Sequence, residues 1–542
     1  MRRTLRLLLA AGTLTMLTGL STPVVAGAGS SSTPLWVKHV GLYPGGISNG
    51  VRAYLDPAVI QAQAQYGRDL RTTPPTQKSG QQNNLQMNDD SYPPLPQDET
   101  TVAYNLTDPM IAVAGANDYV SGGTVVMRTT DGGQTWASTR VIPVFRPFSE
   151  ICNGGDPAIA YSLRDKAFYL AQLCFFRTEA QSEVQIYKSL DNGMTWTPGR
   201  RAAIAATNYD SSTGEIDDSI FNDKEYMVVD NNPLSNFYGR VYVTYTRFHI
   251  DETGSSDTCP IKLSYTDTIP SQDPSLAVWT HTDVVPDDPG SGGLGESANQ
   301  HSDPVVESTG VLDIAYVIEE CNTALDHGLR FQQSSDGGAS FLSSAVTVDK
   351  AGLWADNPDL SDLIPNTAFR TPNTVSLAWS GVTGTLAFVY TNYINGQGDG
   401  NIDVSLSTDD GATWTDPIHV SVNAQGNAAR NNQFFPWIAA DQHGRFHAMW
   451  LDRRADPHNH DINTVQGRSS DDGLTWINHP ISTESWDPDL GFFKSGAFIG
   501  DYSGLAASDE VIYPVWTDGR DSAIQETGIG ETDIFTNVEI HS

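Results

Sequence analysis

TTDGGQTW at residues 129–136 is the stretch from which the fold of this chain is read. It returns as SLDNGMTW at 189–196, SSDGGASF at 334–341, STDDGATW at 407–414 and SSDDGLTW at 469–476. A decayed copy spans 264–279, where Asp267 keeps the carboxylate and the glycine is lost. The pattern is that of a hairpin turn. Asp and Ser side chains bond nearby backbone N–H groups, Gly supplies a positive φ, and the aromatic residue starts the next strand and packs inward.

Two stretches of period-two apolar alternation, rich in Val, Tyr and Trp, precede the copies. They read as half-buried strands: 158–162 with 166–173, 227–230 with 240–246, 374–380 with 385–391, and 435–441 with 445–451. Each unit is therefore strand, strand, strand, turn, strand, which is one propeller blade. Innermost strands starting near Glu99, Asp156, Asp223, Asp303, Asn373, Phe435 and Asp501 predict an all-β closed propeller of seven four-stranded blades, with six as the alternative. The last unit lacks an outer strand, and residues 84–88 are expected to supply it and close the ring, removing exposed sheet edges. Pro514 within a strand predicts a bulge there.

The remaining organisation follows from the N-terminus. Arg2, Arg3 and Arg6 precede an apolar run at 7–20 and small residues at 24–28, the pattern of an export signal cleaved after Ala26 or Ala28. The expected layout is a signal peptide at 1–26, an extended N-terminal segment at 27–82 with one short helix at 57–66, and the propeller at 83–542. No later run is apolar enough to span a bilayer, so an extracellular monomer without a membrane anchor is expected. The net charge of −34 would repel a phosphate backbone, which argues against nucleic acid. Cys152, Cys174, Cys259 and Cys321 contain no CxxC pair and suit disulfides in an oxidising compartment. Of the three pairings, the repeat map favours Cys152–Cys174 and Cys259–Cys321.

The S/T-x-D-x-G-x-T-W signature at blade spacing resembles the Asp-box, or BNR repeat, of the sialidase superfamily across nearly all of residues 98–541. The resemblance implies a secreted propeller acting on or recognising a carbohydrate or glycoconjugate, with exo-sialidase activity as the family default. A non-catalytic glycan- or protein-binding propeller and a polysaccharide lyase are the alternatives, since one fold hosts many functions. Family sialidases are six-bladed and carry Phe/Tyr-Arg-Ile-Pro ahead of the first box. Here the nearest string, Phe145-Arg146-Pro147-Phe148, follows that box and lacks the Ile. The family's three arginines, Tyr–Glu nucleophile pair and Asp acid/base have no complete match in this sequence.

A ligand is expected on the face opposite the repeated turns, over the central channel. Acids open several innermost strands there, and Asp156, Asp223, Glu225, Asp303 and Asp501, with Glu99, are candidates for acid/base work or Ca²⁺ binding. Each is also read as a strand cap. Tyr502 is a candidate nucleophile or a core residue. Arg247, Arg454 and Arg520 end second strands, and Arg370 and Arg430 lie in loops entering innermost strands. Together they are candidates to grip a substrate carboxylate, or each braces a neighbouring Asp. Two weaker metal strings are residues 395–403, partly like a calcium loop, and residues 456–461, which hold His458 and His460. No cofactor is expected to be required, with Ca²⁺ the candidate ion.

Overall fold

The five turns close sheets as their residue types dictate. In a computed structural model of the protein, Asp191 Oδ1 accepts from the Thr195 N–H at 2.8 Å and from Ser189 Oγ at 2.9 Å, while Oδ2 accepts from Thr195 Oγ1 at 2.6 Å. The Gly193 N–H donates to Ser189 Oγ at 2.9 Å. The same set recurs at Asp336, Asp409 and Asp471. The residue before the glycine is left-handed as well: Gly132, Asn192, Gly337, Asp410 and Asp472 all have φ between 56° and 71°. Only Gly, Asn and Asp occupy this place, the residues that tolerate that region best. In the decayed copy Asp267 instead accepts from Arg240 at 2.6 Å.

The structure describes residues 33–43, 46–67, 76–77, 84–89, 94–323, 325–348, 369–393, 399–490, 498–520, 522 and 530–541. The expected signal peptide lies outside these residues. Seven antiparallel sheets, each at least four-stranded, follow one another in chain order. Their innermost strands are Gln97–Asn105, Ala158–Ser162, Ile220–Val229, Asn299–Val306, Ser376–Trp379, Gln433–Ala440 and Gly504–Ala507. Blades one to seven are named in that order. Trp136, Trp450 and Trp516 are fully buried, and Trp414 meets Phe331 of blade four at 5.3 Å between ring centres. Among the described residues no helix is long and apolar enough to cross a membrane.

Blade seven takes its outer strand from Leu85–Gln86, which pairs with Phe535 and Thr536. Asn88 fastens this join: its side chain donates to Asp533 and to Gln97 Oε1 and accepts from the Ile534 N–H. The bulge expected at Pro514 does not form, and Leu505 pairs with Pro514 in regular register. The outer partner is broken opposite this residue, because Asp533–Thr536 covers Val515–Asp518 and Glu539–Ile540 covers Val511–Ile512. A missing N–H therefore leaves no ladder bond unmade.

The described residues within 27–82 depart from the extended segment expected there. Besides the helix at Pro57–Tyr66 (α3), the described part holds helices at Leu35–Leu42 (α1) and Asn49–Ala53 (α2). Ser48 and Asp56 cap α2 and α3 by accepting from the Gly50 and Ala58 N–H groups. Thr76–Gln77 adds a short strand to blade one. The helices depend on tertiary packing, as helices this short must. Trp36 packs on Phe175 and Phe221, and Tyr54 packs on Tyr119 and Phe175.

Candidate active site at the mouth of the channel

The innermost strands do not run straight into the channel mouth. Each of four carries a register shift near its start, at Asp98/Thr101, Asp223/Tyr226, Gln300/Asp303 and Phe434/Trp437. A left-handed residue sits within or beside each shift: Glu99 (φ 57°), Lys224 (52°), His301 (58°) and Phe435 (54°). Asp156, just ahead of the innermost strand of blade two, has φ 53°. Bulges re-aim side chains, and non-glycine residues held left-handed at one place in successive blades are local strain maintained by the surrounding fold.

Carboxyls meet as a result. Asp98, Glu99, Asp156, Asp223, Glu225 and Asp501 are fully buried and Asp303 nearly so. Asn117 bridges two blades: its Nδ2 donates to Glu99 Oε2 at 2.5 Å and to Asp98 Oδ1 at 3.1 Å, and its Oδ1 accepts from the Asp156 N–H at 2.9 Å. Glu99 Oε1 accepts from the Asp501 N–H at 3.2 Å. Arg370 Nε lies 3.5 Å from Asp501 Oδ1, and Lys224 Nζ sits 3.4 Å from the centre of the Tyr502 ring. His301 lies 3.3 Å from Glu319. Among the described residues no hydrogen-bond partner reaches the Tyr502 hydroxyl, Oε1 of Gln300 or Oδ2 of Asp501. Buried polar atoms without partners are costly, and a polar ligand would relieve that cost.

Burial followed by mutual repulsion sets the protonation. Burial and then Asp156 raise Glu99 well above its ordinary value, and the same two causes push Asp223 up to about 8. Burial lifts Glu225 and Asp501, with Arg370 opposing it at Asp501, and raises Asp303 to about 7. Burial also holds His301 neutral, at about 3, with Arg370 and Lys224 adding to the effect. Several of these acids therefore keep a proton near neutral pH, as a proton donor must.

The structure thus brings together Asp156, Asp223, Glu225, Asp501, Tyr502 and Arg370, all expected from the sequence. Asp303 stands slightly apart, accepting from the Leu377 N–H at 2.8 Å. The other arginines do not join them. Arg454 is taken up by Asp452, the Val422 carbonyl and Asn478, and Arg520 by Asp518, Thr483 and Asn84. Arg430 bonds the Arg454 carbonyl, and both line a lateral groove of about 700 Å³ with Trp476 and Asn478. Arg247 donates to Asn222 Oδ1. An arginine two residues after an Asp at a strand end folds back on that Asp, and the fold leaves Arg370 as the guanidinium of this set beside the carboxyls. Asp98, Asn117, Lys224, His301 and Glu319 join them without having been expected: Lys224 and His301 lie inside bulges, and bulges carry no motif.

The metal strings fare differently. Residues 394–398 lie outside the described part, while Asp399 accepts from the Asn431 N–H and Asp403 pairs with His419 and Asn392. The His460 ring lies against Asp461, Asp487 and Asp489 while its backbone N–H donates to Asp456, and Asp441, His443 and Asp509 form a second group. Both expected disulfides form, Cys152–Cys174 and Cys259–Cys321.

The sequence matches no family model and no curated protein. The chain is similar in fold to a Hadza microbial sialidase, at 13% identity and TM-score 0.42, over 79% of this chain and 73% of that one. It is also similar to an alpha-L-arabinanase of Penicillium chrysogenum, at 12% identity and TM-score 0.42, over 70% of this chain and 92% of that one. An intramolecular trans-sialidase of Ruminococcus gnavus matches at 11% identity and TM-score 0.40, over 70% and 94%. Likeness at this level concerns fold alone.

Proposed function

We propose that the protein is an exported glycoside hydrolase whose substrate is drawn to the buried carboxyls at the channel mouth. The observation that carries this reading is the meeting of acids from four blades, partly protonated near neutrality, around polar atoms that lack partners. Glycoside cleavage needs one carboxyl that keeps a proton for the leaving oxygen and a second group that attacks or activates water. Glu99 and Asp223, held protonated, suit the first role. Asp156 beside them, or Tyr502 beside Lys224, suits the second. Arg370 and Lys224 would meet acidic or hydroxyl groups of the sugar. Sialic acid is the first substrate to test, through the resemblance of the repeated turn to the sialidase superfamily, and an exported protein would meet such glycans outside the cell.

The test is fluorophore release from a generic α-sialoside and from a panel of other glycosides, with and without chelator. It is run on the chain and on the chain after limited proteolysis, because Ser48–Gly50 lies against these carboxyls. Asp156→Asn and Glu99→Gln are each expected to lower turnover at least about 100-fold without loss of folding. Absence of binding and turnover across the panel in both forms would remove the reading. Glycan binding without turnover would leave a lectin-like propeller in its place.

A further inference from the structure

The described residues between 34 and 66 occupy the ligand face itself. Their anchors come from the loops and strand ends of blades one to four on that face. Gln63 Nε2 donates to the Tyr119 carbonyl, and Arg177 bonds both the Tyr54 carbonyl and Gln63 Oε1. Lys38 reaches the Glu252 carbonyl, His39 Nδ1 lies 2.9 Å from the Gly254 carbonyl, and Gln300 Nε2 donates to the Gly46 carbonyl. At the apex the chain touches the carboxyls. The Ser48 N–H donates to Asp223 Oδ2 at 2.8 Å, and Ser48 Oγ lies 3.4 Å from Asp156 Oδ1. Gly50 is pressed so close that a Cβ there would stand 2.8 Å from Glu99 Oε2 and 3.0 Å from Asp156 Oδ1. These are the atoms a substrate would need to reach, and peptide backbone holds them.

The segment is also separable along the chain. It lies shortly after the expected export signal, and α3 is followed by Gly67, an exposed residue whose absent Cβ would meet nothing within 4 Å. Among the described residues, the strands that the propeller borrows from the N-terminal region, Thr76–Gln77 and Leu85–Gln86, lie beyond that point. A cut at Gly67 therefore leaves ring closure intact.

We propose that residues 34–66 are an inhibitory pro-segment, seated as a stand-in for substrate, and that an extracellular peptidase releases the site by hydrolysing the chain next to Gly67. Water adds across one peptide bond, giving a new carboxylate on the segment and a new amine on the propeller. The proposal rests on the reading of the carboxyl cluster as a substrate site, but its test does not depend on turnover.

A specific protease sequence is inserted at Gly67 of the full exported chain, which is then cut and passed over a sizing column without denaturant. Carboxyl labelling with a carbodiimide and an amine, read by mass spectrometry, reports access to Glu99, Asp156 and Asp223. The expected result is release of the 34–66 peptide, a β-sheet spectrum unchanged, and labelling of the three acids raised at least tenfold. Uncut Gly50→Leu and Ser48→Pro chains, which crowd the carboxyls or remove the donor to Asp223, are expected to show the same rise in smaller measure. A peptide retained by a folded propeller, labelling unchanged after its release, or unfolding of the cut chain would each overturn the proposal. Opened labelling without binding or cleavage of any glycan would uphold the pro-segment and sink the glycosidase reading.

Discussion

Asp303 shows what burial does to one acid. Its carboxyl accepts from the Leu377 N–H, yet burial still raises it from 3.8 to about 7. The folded chain binds this proton more tightly than the unfolded chain does. Its contribution to stability is therefore complete below about pH 4 and is lost as pH rises through about 7. Between pH 5 and 8 that loss is on the order of 2–3 kcal/mol, at about 1.36 kcal/mol per unit. Asp303→Asn keeps an acceptor for Leu377 but has no proton to lose. Urea midpoints at the two pH values should therefore differ less for the variant than for the parent chain. An equal difference in both would show that Asp303 titrates as an ordinary carboxyl.

At the scale of one element, the repeated turn is specified by short-range chemistry and then used for packing between blades. Gly411 has φ 77°, and a Cβ there would stand 2.1 Å from the Phe331 ring of blade four. Gly411→Ala should cost about 2–4 kcal/mol through strain and overpacking together, read as a fall in thermal midpoint. Gly426→Ala, also at positive φ (78°) but facing open space, isolates the backbone part and should cost less. Equal falls would mean that Phe331 yields without penalty. The Cys152–Cys174 bridge spans 22 residues and joins the approach to blade two to the end of its second strand. Its replacement by two serines should cost about 2–4 kcal/mol in a chain-entropy account, measured by denaturant unfolding.

For the whole molecule, stability depends on a join between residues hundreds of positions apart. Asn88 holds Asp533, Gln97 and Ile534 together, and the Thr532 hydroxyl donates to the Gln97 carbonyl. Asn88→Ala removes three buried hydrogen bonds and should lower stability by about 2–4 kcal/mol, with hydrogen exchange rising first in blades one and seven. Uniform protection across all blades in the variant would show that closure does not depend on this residue.

The fold was legible because its decisive contacts are local. Ser189, Asp191, Gly193 and Thr195 specify one turn within seven residues, and five such turns, with the strand starts counted between and beyond them, set the number and order of blades. Cysteine pairing and the closing strand followed from the same map. The site was only half legible. Acids at strand starts could be named, but Arg454 and Arg520 were drawn to the aspartates two residues before them, a contact that sequence leaves open. His301 and Lys224 face the axis only because bulges turn them there. The N-terminal segment, whose short helices have little stability of their own, takes its shape from the aromatic surface of blades one to three. Sequence alone determined what short-range turn chemistry can encode. Tertiary structure decided which charges meet and what covers them, because those contacts join residues far apart in the chain through burial.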